Sequence, residues 1–301
     1  MATSPAMEGQ TFRGVSAVVR YVNLVKLPHT AFALPFALVG VTLASYVAPV
    51  TARKVLWVVI AFTAARFAAM AFNRIVDRDV DALNPRTKSR EIPSGALSVT
   101  GAATAVIAAC LLFIAAAWQL NPLCLALSPV ALAWVLAYSF TKRFTRFCHL
   151  VLGIGLAIAP VGGYLAVTGQ WSEPWWMLIA LAVAVTTWVG GFDILYALQD
   201  IDFDCAHGLH SLPASLGEGI ALDIARSFHV TTVLCLAVVG LAVGAGWIYV
   251  AGVAVAALLL LYEHSLVKLG DLSRLDAAFF TMNGVISIAF FGFVFAERLA
   301  S

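Results

Sequence analysis

Apolar runs of about 20 residues, continuous and rich in Ala, Leu and Val, follow one another through most of the chain. No other feature constrains the fold as much. In hydrocarbon such a run must satisfy its own backbone, which leaves a helix or a closed barrel. The runs lack the period-two alternation of a barrel strand, so they are helices. Charge agrees: only 11% of residues are charged and mean hydropathy is +0.94, against about 25% charged in soluble domains. The sequence therefore predicts an all-α membrane protein with about nine transmembrane helices bundled around a central cavity.

The expected spans are about Val22–Val47, Val55–Asp77, Val99–Leu120, Leu123–Phe140, Leu150–Val167, Trp175–Gln199, Ile220–Val243, Trp247–Lys268 and Ala277–Ala296. Pro49, Asn121-Pro122, Gly169-Gln170, Glu173-Pro174 and Gly246 punctuate them. Residues 1–20 read as a polar cytoplasmic segment, disordered or interfacial, without a cleavable signal; residues 21–301 read as one polytopic domain. Five scattered cysteines suggest neither a disulfide framework nor a zinc site. With nine spans, Arg53, Lys54 and Arg298 fall on one side and Arg66 inside a helix, while every other Lys and Arg falls on the side of the N-terminus. The positive-inside rule puts that side in the cytoplasm of a bacterial-type plasma membrane.

Two acidic stretches end apolar runs on that side. In the first, Asn73, Asp77 and Asp81 are spaced by four, one face of a helix. In the second, Asp193, Tyr196, Asp200 and Asp204 form a stripe at i, i+3, i+7 and i+11. Carboxylates this close to a membrane are expensive and mark an ion or substrate path. A hard cation held by carboxylates and substrate phosphates is Mg²⁺. Asn73, Asp77, Asp81, Asp193, Asp200 and Asp204 are the candidate ligands, and the two stretches are expected to face each other across a diphosphate. Asp79 and Asp202 lie off the stripes and are expected to face water.

The phosphates need cations. Arg66 lies two turns deeper than Asn73 on the same helix face and should point into the cavity. Lys142, four residues after Tyr138, can reach a phosphate as a point charge. Arg143 and Arg146 fit that role or an ordinary positive-inside one. Lys88 and Arg90 could close over the diphosphate. His29 fits an acceptor contact or a helix lining.

At these residues the chain resembles the UbiA superfamily of intramembrane prenyltransferases, over nearly its whole length. The likeness rests on N-x-x-x-D-x-x-x-D at Asn73–Asp81, D-x-x-Y-x-x-x-D-x-x-x-D at Asp193–Asp204, and Asp77-Arg-Asp-Val-Asp81-Ala-Leu-Asn-Pro-Arg86-Thr. It implies a helical bundle whose cavity opens sideways to lipid, and active-site positions at Arg66, Asn73, Asp77, Asp81, Tyr138, Lys142, Asp193, Tyr196, Asp200 and Asp204. Asn73 is followed by Arg74 where many members have Asp, and the second motif ends Ile-Asp-Phe-Asp204. Both features resemble the bacterial 4-hydroxybenzoate polyprenyltransferase-like branch, part of which serves menaquinone synthesis. The two acidic stretches, four helices apart and each followed by a Pro/Ser loop, suggest two four-helix pseudo-repeats plus one helix.

The expected reaction is Mg²⁺-dependent transfer of a polyprenyl group from its diphosphate to 4-hydroxybenzoate or a hydroxynaphthoate in quinone biosynthesis. Asp77, Asp200, Arg66, Lys142, Tyr138 and Tyr196 are the expected catalytic residues, the tyrosines sheltering an allylic cation. Donor, aromatic acceptor and lipid bilayer are the expected partners, and no nucleic acid. The alternatives are another acceptor (haem, chlorophyllide, homogentisate or a lipid) and, outside enzymes, an Asp-lined transporter.

Overall fold

The computed structural model describes residues 16–275 and 281–301, without the side chains of residue 17 and residues 27–32. The side chain of His29 and the expected helix start at Ala277 lie outside the described residues. The elements are α1 (Ala17–Leu24), α2 (Leu27–Ala44), α3 (Ala52–Val76), α4 (Arg78–Leu83), α5 (Val99–Leu120), α6 (Pro122–Thr141) and α7 (Cys148–Thr168). Then follow α8 (Trp176–Ala197), a 3₁₀ turn (Leu198–Asp200), α9 (Ile201–Ala206), α10 (Leu212–Leu216), α11 (Glu218–Ala242), α12 (Trp247–Leu266) and α13 (Asn283–Ala300). Among the described residues, eight helices are long and apolar enough to cross a membrane, and α2, at 18 residues, makes the ninth long helix. The chain is a multi-pass integral membrane protein.

Local chemistry sets the boundaries. Thr51, Ser98 and Asn121 cap α3, α5 and α6, each accepting from a backbone N–H in the first turn. Pro122 opens α6 at a position that needs no N–H, and Gly169 (φ 69°) closes α7 in the left-handed region. The first expected helix is in fact two. Lys26 stands at φ 45° between α1 and α2, because Pro28 has no N–H for the carbonyl of Leu24. Instead α1 docks on the bundle, burying Leu24 and Val25 beside Ala71, Ile92, Ala102 and Val106 of the neighbouring segments.

The long helices form a closed ring, α2–α3–α5–α6–α7–α8–α11–α12–α13, with α13 returning to α2. The helix α2 also packs on α7, and this contact crosses the ring. Lipid tails are as apolar as leucine, so such contacts come from close packing at small residues. A Cβ on Gly40 would strike the backbone oxygen of Pro160, and one on Gly163 would strike that of Ala37. Gly153 meets Thr186 the same way and seats α7 on α8. On one side of the α2–α7 crossing the interior is solid, filled by Phe36, Trp188, Tyr249 and Phe290. On the other side it is a cavity. The helix α8, whose span is 72% buried, runs through the middle and presents residues to both.

Gly40→Ala and Gly163→Ala should each cost about 1–3 kcal/mol through forced separation of α2 and α7. Gly162→Ala, where a Cβ meets open space, should leave the melting temperature of the detergent-solubilised protein unchanged. Equal melting of all three would remove the backbone contact as the ring's central support.

Candidate active site

The cavity has a volume of about 620 Å³ and lies between α2, α3, α5, α6, α7 and α8. Most of its wall is apolar. Leu127, Val130 and Trp134 of α6 and Ile154 of α7 line it and are among the exposed large apolar side chains. At this wall Trp134 Nε1 of α6 donates to the Val151 carbonyl of α7 at 3.0 Å. Its polar wall holds Lys26, Arg66, Asn73, Arg74, Arg90, Tyr138, Asp193 and Tyr196.

Beside that wall the two acidic stretches meet. The helix α3 ends at Val76, with Asp77 at φ −92°, ψ 5°, and α4 restarts at Arg78. Asn73 Nδ2 donates to Asp77 Oδ2 at 2.8 Å, and the Asp77 carbonyl accepts from the Asp81 N–H at 2.7 Å. The second stretch departs from one continuous stripe. The helix α8 stops at Ala197, a 3₁₀ turn carries Asp200, and α9 carries Asp204. Asp193 and Tyr196 line the cavity, while Asp200 and Asp204 turn toward the loops around it.

Every carboxylate of the two motifs holds a cation or an imidazole. Arg86 makes a bidentate pair with Asp200, Nη2 to Oδ2 at 2.8 Å and Nε to Oδ1 at 3.2 Å. Arg90 Nη1 pairs with Asp81 Oδ1 at 2.7 Å, and Lys142 Nζ with Asp204 Oδ1 at 2.8 Å. Arg143 Nη2 reaches Asp77 Oδ1 at 3.2 Å and also caps α3 at the Val76 carbonyl at 2.7 Å. His149 Nδ1 lies 2.7 Å from Asp193 Oδ2. Asp200, Asp81 and Asp204 are buried, and an unpaired charge there would cost several kcal/mol.

The loop between α4 and α5 delivers Arg86 through local turn chemistry. Asn84 Oδ1 accepts from the Arg86 N–H at 2.9 Å, an Asx turn, and Thr87 Oγ1 donates to the Asp81 carbonyl at 3.0 Å. Arg20 Nη1 fastens the far end of the loop at the Ala96 carbonyl, 2.7 Å away. Arg86 also donates to the Tyr196 hydroxyl at 3.0 Å and lies over its ring at 5.3 Å. The Tyr196 ring is thus engaged by a guanidinium, whereas among the described residues no cation lies over the ring of the cavity's Tyr138.

Of the residues expected from sequence, Arg66, Asn73, Arg90, Tyr138, Asp193 and Tyr196 line the cavity. Asp77, Asp81, Asp200, Asp204 and Lys142 stand behind that wall in the ion-paired cluster. Lys88 is exposed, with no side-chain hydrogen bond or ion pair to the cluster among the described residues. Asp79 and Asp202 are exposed, as expected from their place off the stripes. Arg146 lies over the Phe147 ring at 5.3 Å. Arg86, Asn84 and His149 enter the site from the structure alone; Arg86 had a signal, since it closes the quoted first motif.

Burial, then the nearby Asp81 charge, raises the Asp77 pKa above its ordinary 3.8, against the opposing pull of Arg143 and Asn73. Burial opposes the charge on Lys142, but Asp204 outweighs it and the pKa is raised. A cation fits the donor set: hard oxygens from both stretches, with Asp81 Oδ2 buried and lacking a hydrogen-bond partner among the described residues. Among the described residues no three acidic, His or Cys groups stand close enough to hold a metal alone. That suits an ion such as Mg²⁺, which keeps one or two carboxylates and takes the rest of its shell from phosphates.

The UbiA prenyltransferase family model matches residues 33–285. The chain belongs to that family and is a prenyltransferase, which removes the transporter alternative. It is 30% identical over 248 residues to a 4-hydroxybenzoate octaprenyltransferase of Methylobacillus flagellatus, covering 82% of each chain. It is 32% identical to that of Sodalis glossinidius, covering 75% of this chain and 77% of the other. The apo structure of a UbiA homolog from Aeropyrum pernix K1 superposes with a TM-score of 0.82 at 35% identity, covering 89% of this chain and 98% of that one. A UbiA homolog from Archaeoglobus fulgidus bound to GPP and Mg²⁺ shares the fold, with a TM-score of 0.68 at 22% identity over 93% and 99% of the chains.

Arg86→Ala leaves the buried Asp200 without its cation, with Asn84 Nδ2 at 3.3 Å still donating to it, and should destabilise by about 3–5 kcal/mol. Adding Asp200→Asn should recover most of that in thermal melts without restoring activity. For Asp77 the folded pKa is raised, so between 3.8 and the folded value the unfolded chain binds fewer protons and stability falls as pH rises. Asp77→Asn should therefore melt higher than wild type near neutral pH, and the gain should vanish as pH falls through that window. An Asn variant less stable than wild type at neutral pH would contradict it.

Proposed function

We propose that the chain transfers a polyprenyl group from polyprenyl diphosphate to a small aromatic acceptor of the 4-hydroxybenzoate or hydroxynaphthoate class, releasing diphosphate, in quinone biosynthesis. The observation that carries this reading is the junction itself: an apolar cavity in a membrane-spanning bundle, ending at two acidic motifs whose charges are balanced by Arg86, Arg90, Lys142 and Arg143. A prenyl chain suits the apolar wall, and its diphosphate suits the charged end. The octaprenyltransferase relatives and the GPP- and Mg²⁺-bound homolog support donor, acceptor class and ion.

In this reading Mg²⁺ would be held against the diphosphate by one or two oxygens drawn from Asn73, Asp77 and Asp81 on one side and Asp193, Asp200 and Asp204 on the other. The ion, when bound, neutralises negative charge on the leaving group. Lys142 and Arg90, now paired with Asp204 and Asp81, move from carboxylate to phosphate oxygen as the donor binds. Arg66 adds a fixed positive charge about 10 Å along α3 from Asn73. Lys88, already at the surface, forms the outer rim of the loop. As the allylic C–O bond breaks, these charges stabilise the developing diphosphate anion. Tyr138 offers its π-face to the allylic cation. The apolar wall excludes water that would otherwise capture that cation. The acceptor's ring carbon forms the new C–C bond, and a carboxylate or the released diphosphate takes the ring proton. The positive-inside distribution supports a cytoplasmic site, where the soluble acceptor is available.

The test offers a labelled polyprenyl diphosphate and a panel of acceptors to the purified full-length protein, with mass spectrometry of the products. A prenylated hydroxybenzoate or hydroxynaphthoate, lost on chelation of Mg²⁺, is the expected result. Asp77→Ala and Asp200→Ala should each lower turnover by about 10²–10³-fold or more. Turnover like wild type in either variant, or a product formed only from a lipid or tetrapyrrole acceptor, would overturn the reading.

A further inference from the structure

His149 sits in the first turn of α7, is 2% exposed and carries out no step above. Its two ring nitrogens touch two parts of the site. Nε2 is 3.3 Å from the backbone nitrogen of Leu212, and an amide N–H only donates. Nε2 therefore accepts, and the ring proton sits on Nδ1. Nδ1 lies 2.7 Å from Asp193 Oδ2 and donates to it, which leaves Asp193 Oδ1 for the cavity that this residue lines.

The Leu212 side of the contact belongs to the other end of the second motif. Ser211, one residue earlier, donates from Oγ to Asp204 Oδ2 at 2.9 Å. The His210 N–H donates to the Lys142 carbonyl at 2.7 Å, and Cys148 Sγ is 3.5 Å from the His210 carbonyl. A continuous helix would fix Asp193 relative to Asp204 by itself. Here α8 ends between them, and a 3₁₀ turn and α9 intervene. A brace from a third helix supplies what the broken helix does not, and Gly153, one turn along α7, permits the close α7–α8 approach that brings His149 to Asp193.

We propose that His149 is a positioning residue for the prenyl transfer: as the Nδ1–H tautomer it clamps Asp193 to the 210–212 segment, so that Asp193 and Asp204 are presented together. The proposal rests on the function proposed above and concerns how its second motif is held. Partners that orient metal-binding groups typically change affinity or activity by about 10–100-fold when removed.

Two conservative variants separate the two contacts. Asn at this position places an amide where Nδ1 is and can still donate to Asp193, but does not reach Leu212. Gln places its amide where Nε2 is and can still accept from Leu212, but does not donate to Asp193. Calorimetric binding of geranyl diphosphate with Mg²⁺ to full-length protein should weaken about 10–100-fold in His149→Ala. His149→Asn and His149→Gln should each recover only part of the loss, because each keeps one contact of the clamp, with equal melting temperatures for the two variants. Nitrogen-15 NMR of histidine-labelled protein should show one imidazole, absent in each variant, protonated on Nδ1 and bare on Nε2. Wild-type-like binding in His149→Ala, full recovery of binding by either the Asn or the Gln variant, or an Nε2-protonated ring would overturn the proposal. Wild-type protein that binds no geranyl diphosphate with Mg²⁺ would refute the proposed function instead, while the NMR tautomer would still decide how His149 is held.

Discussion

The structure depends on pairing negative charge with positive charge at one end of a membrane-embedded bundle. Carboxylates at this depth are tolerated only when partnered, and each of the five in the two motifs has a partner from a different element. Asp77 is met from the α6–α7 loop, Asp81 and Asp200 from the α4–α5 loop, Asp204 from the end of α6 and Asp193 from α7. These contacts do more than neutralise. They tie the loops to the helix ends and turn two acidic termini into one polar chamber. In the proposed reaction the same cations serve a polyanion, since they are already gathered at the end of the cavity.

The second constraint is backbone proximity. Contact of α2 with α7 at Gly40 and Gly163 divides the ring into a filled half and an open half. The filled half gives α8 a rigid backing of Phe36, Tyr249 and Phe290, with Phe36 against its Trp188. The open half is a cavity with a mostly apolar wall. Because α8 borders both, its C-terminal residues Asp193 and Tyr196 sit on a supported helix that also lines the cavity.

Much of this was legible in the sequence, for identifiable reasons. Run length and the absence of alternation fix the spans, and spacing by four puts Asn73, Asp77 and Asp81 together because α3 continues almost to Asp77. The same reasoning carried Asp200 and Asp204 too far, as spacing cannot show a helix changing to a 3₁₀ turn at Leu198. Nor does it show that Pro28 divides the first helix. Ion-pair partners were the least legible part. Arg86 meets Asp200 across 114 residues and His149 meets Asp193 across 44, distances over which no periodic pattern holds. A single buried His in an apolar helix looks the same in sequence whether it fills space or braces a carboxylate.

The claim at the centre is that ion and diphosphate bind as one unit between the two motifs. Manganese EPR of the full-length protein, with Mn²⁺ in place of Mg²⁺, tests it most directly. The account predicts little bound Mn²⁺ alone, because the carboxylates are occupied by basic side chains, and strong binding once a prenyl diphosphate is added. It also predicts that Asp77→Asn and Asp200→Asn, one in each motif, both abolish the diphosphate-dependent signal. Tight Mn²⁺ binding without diphosphate, or a signal that survives loss of either aspartate, would contradict the two-sided clamp.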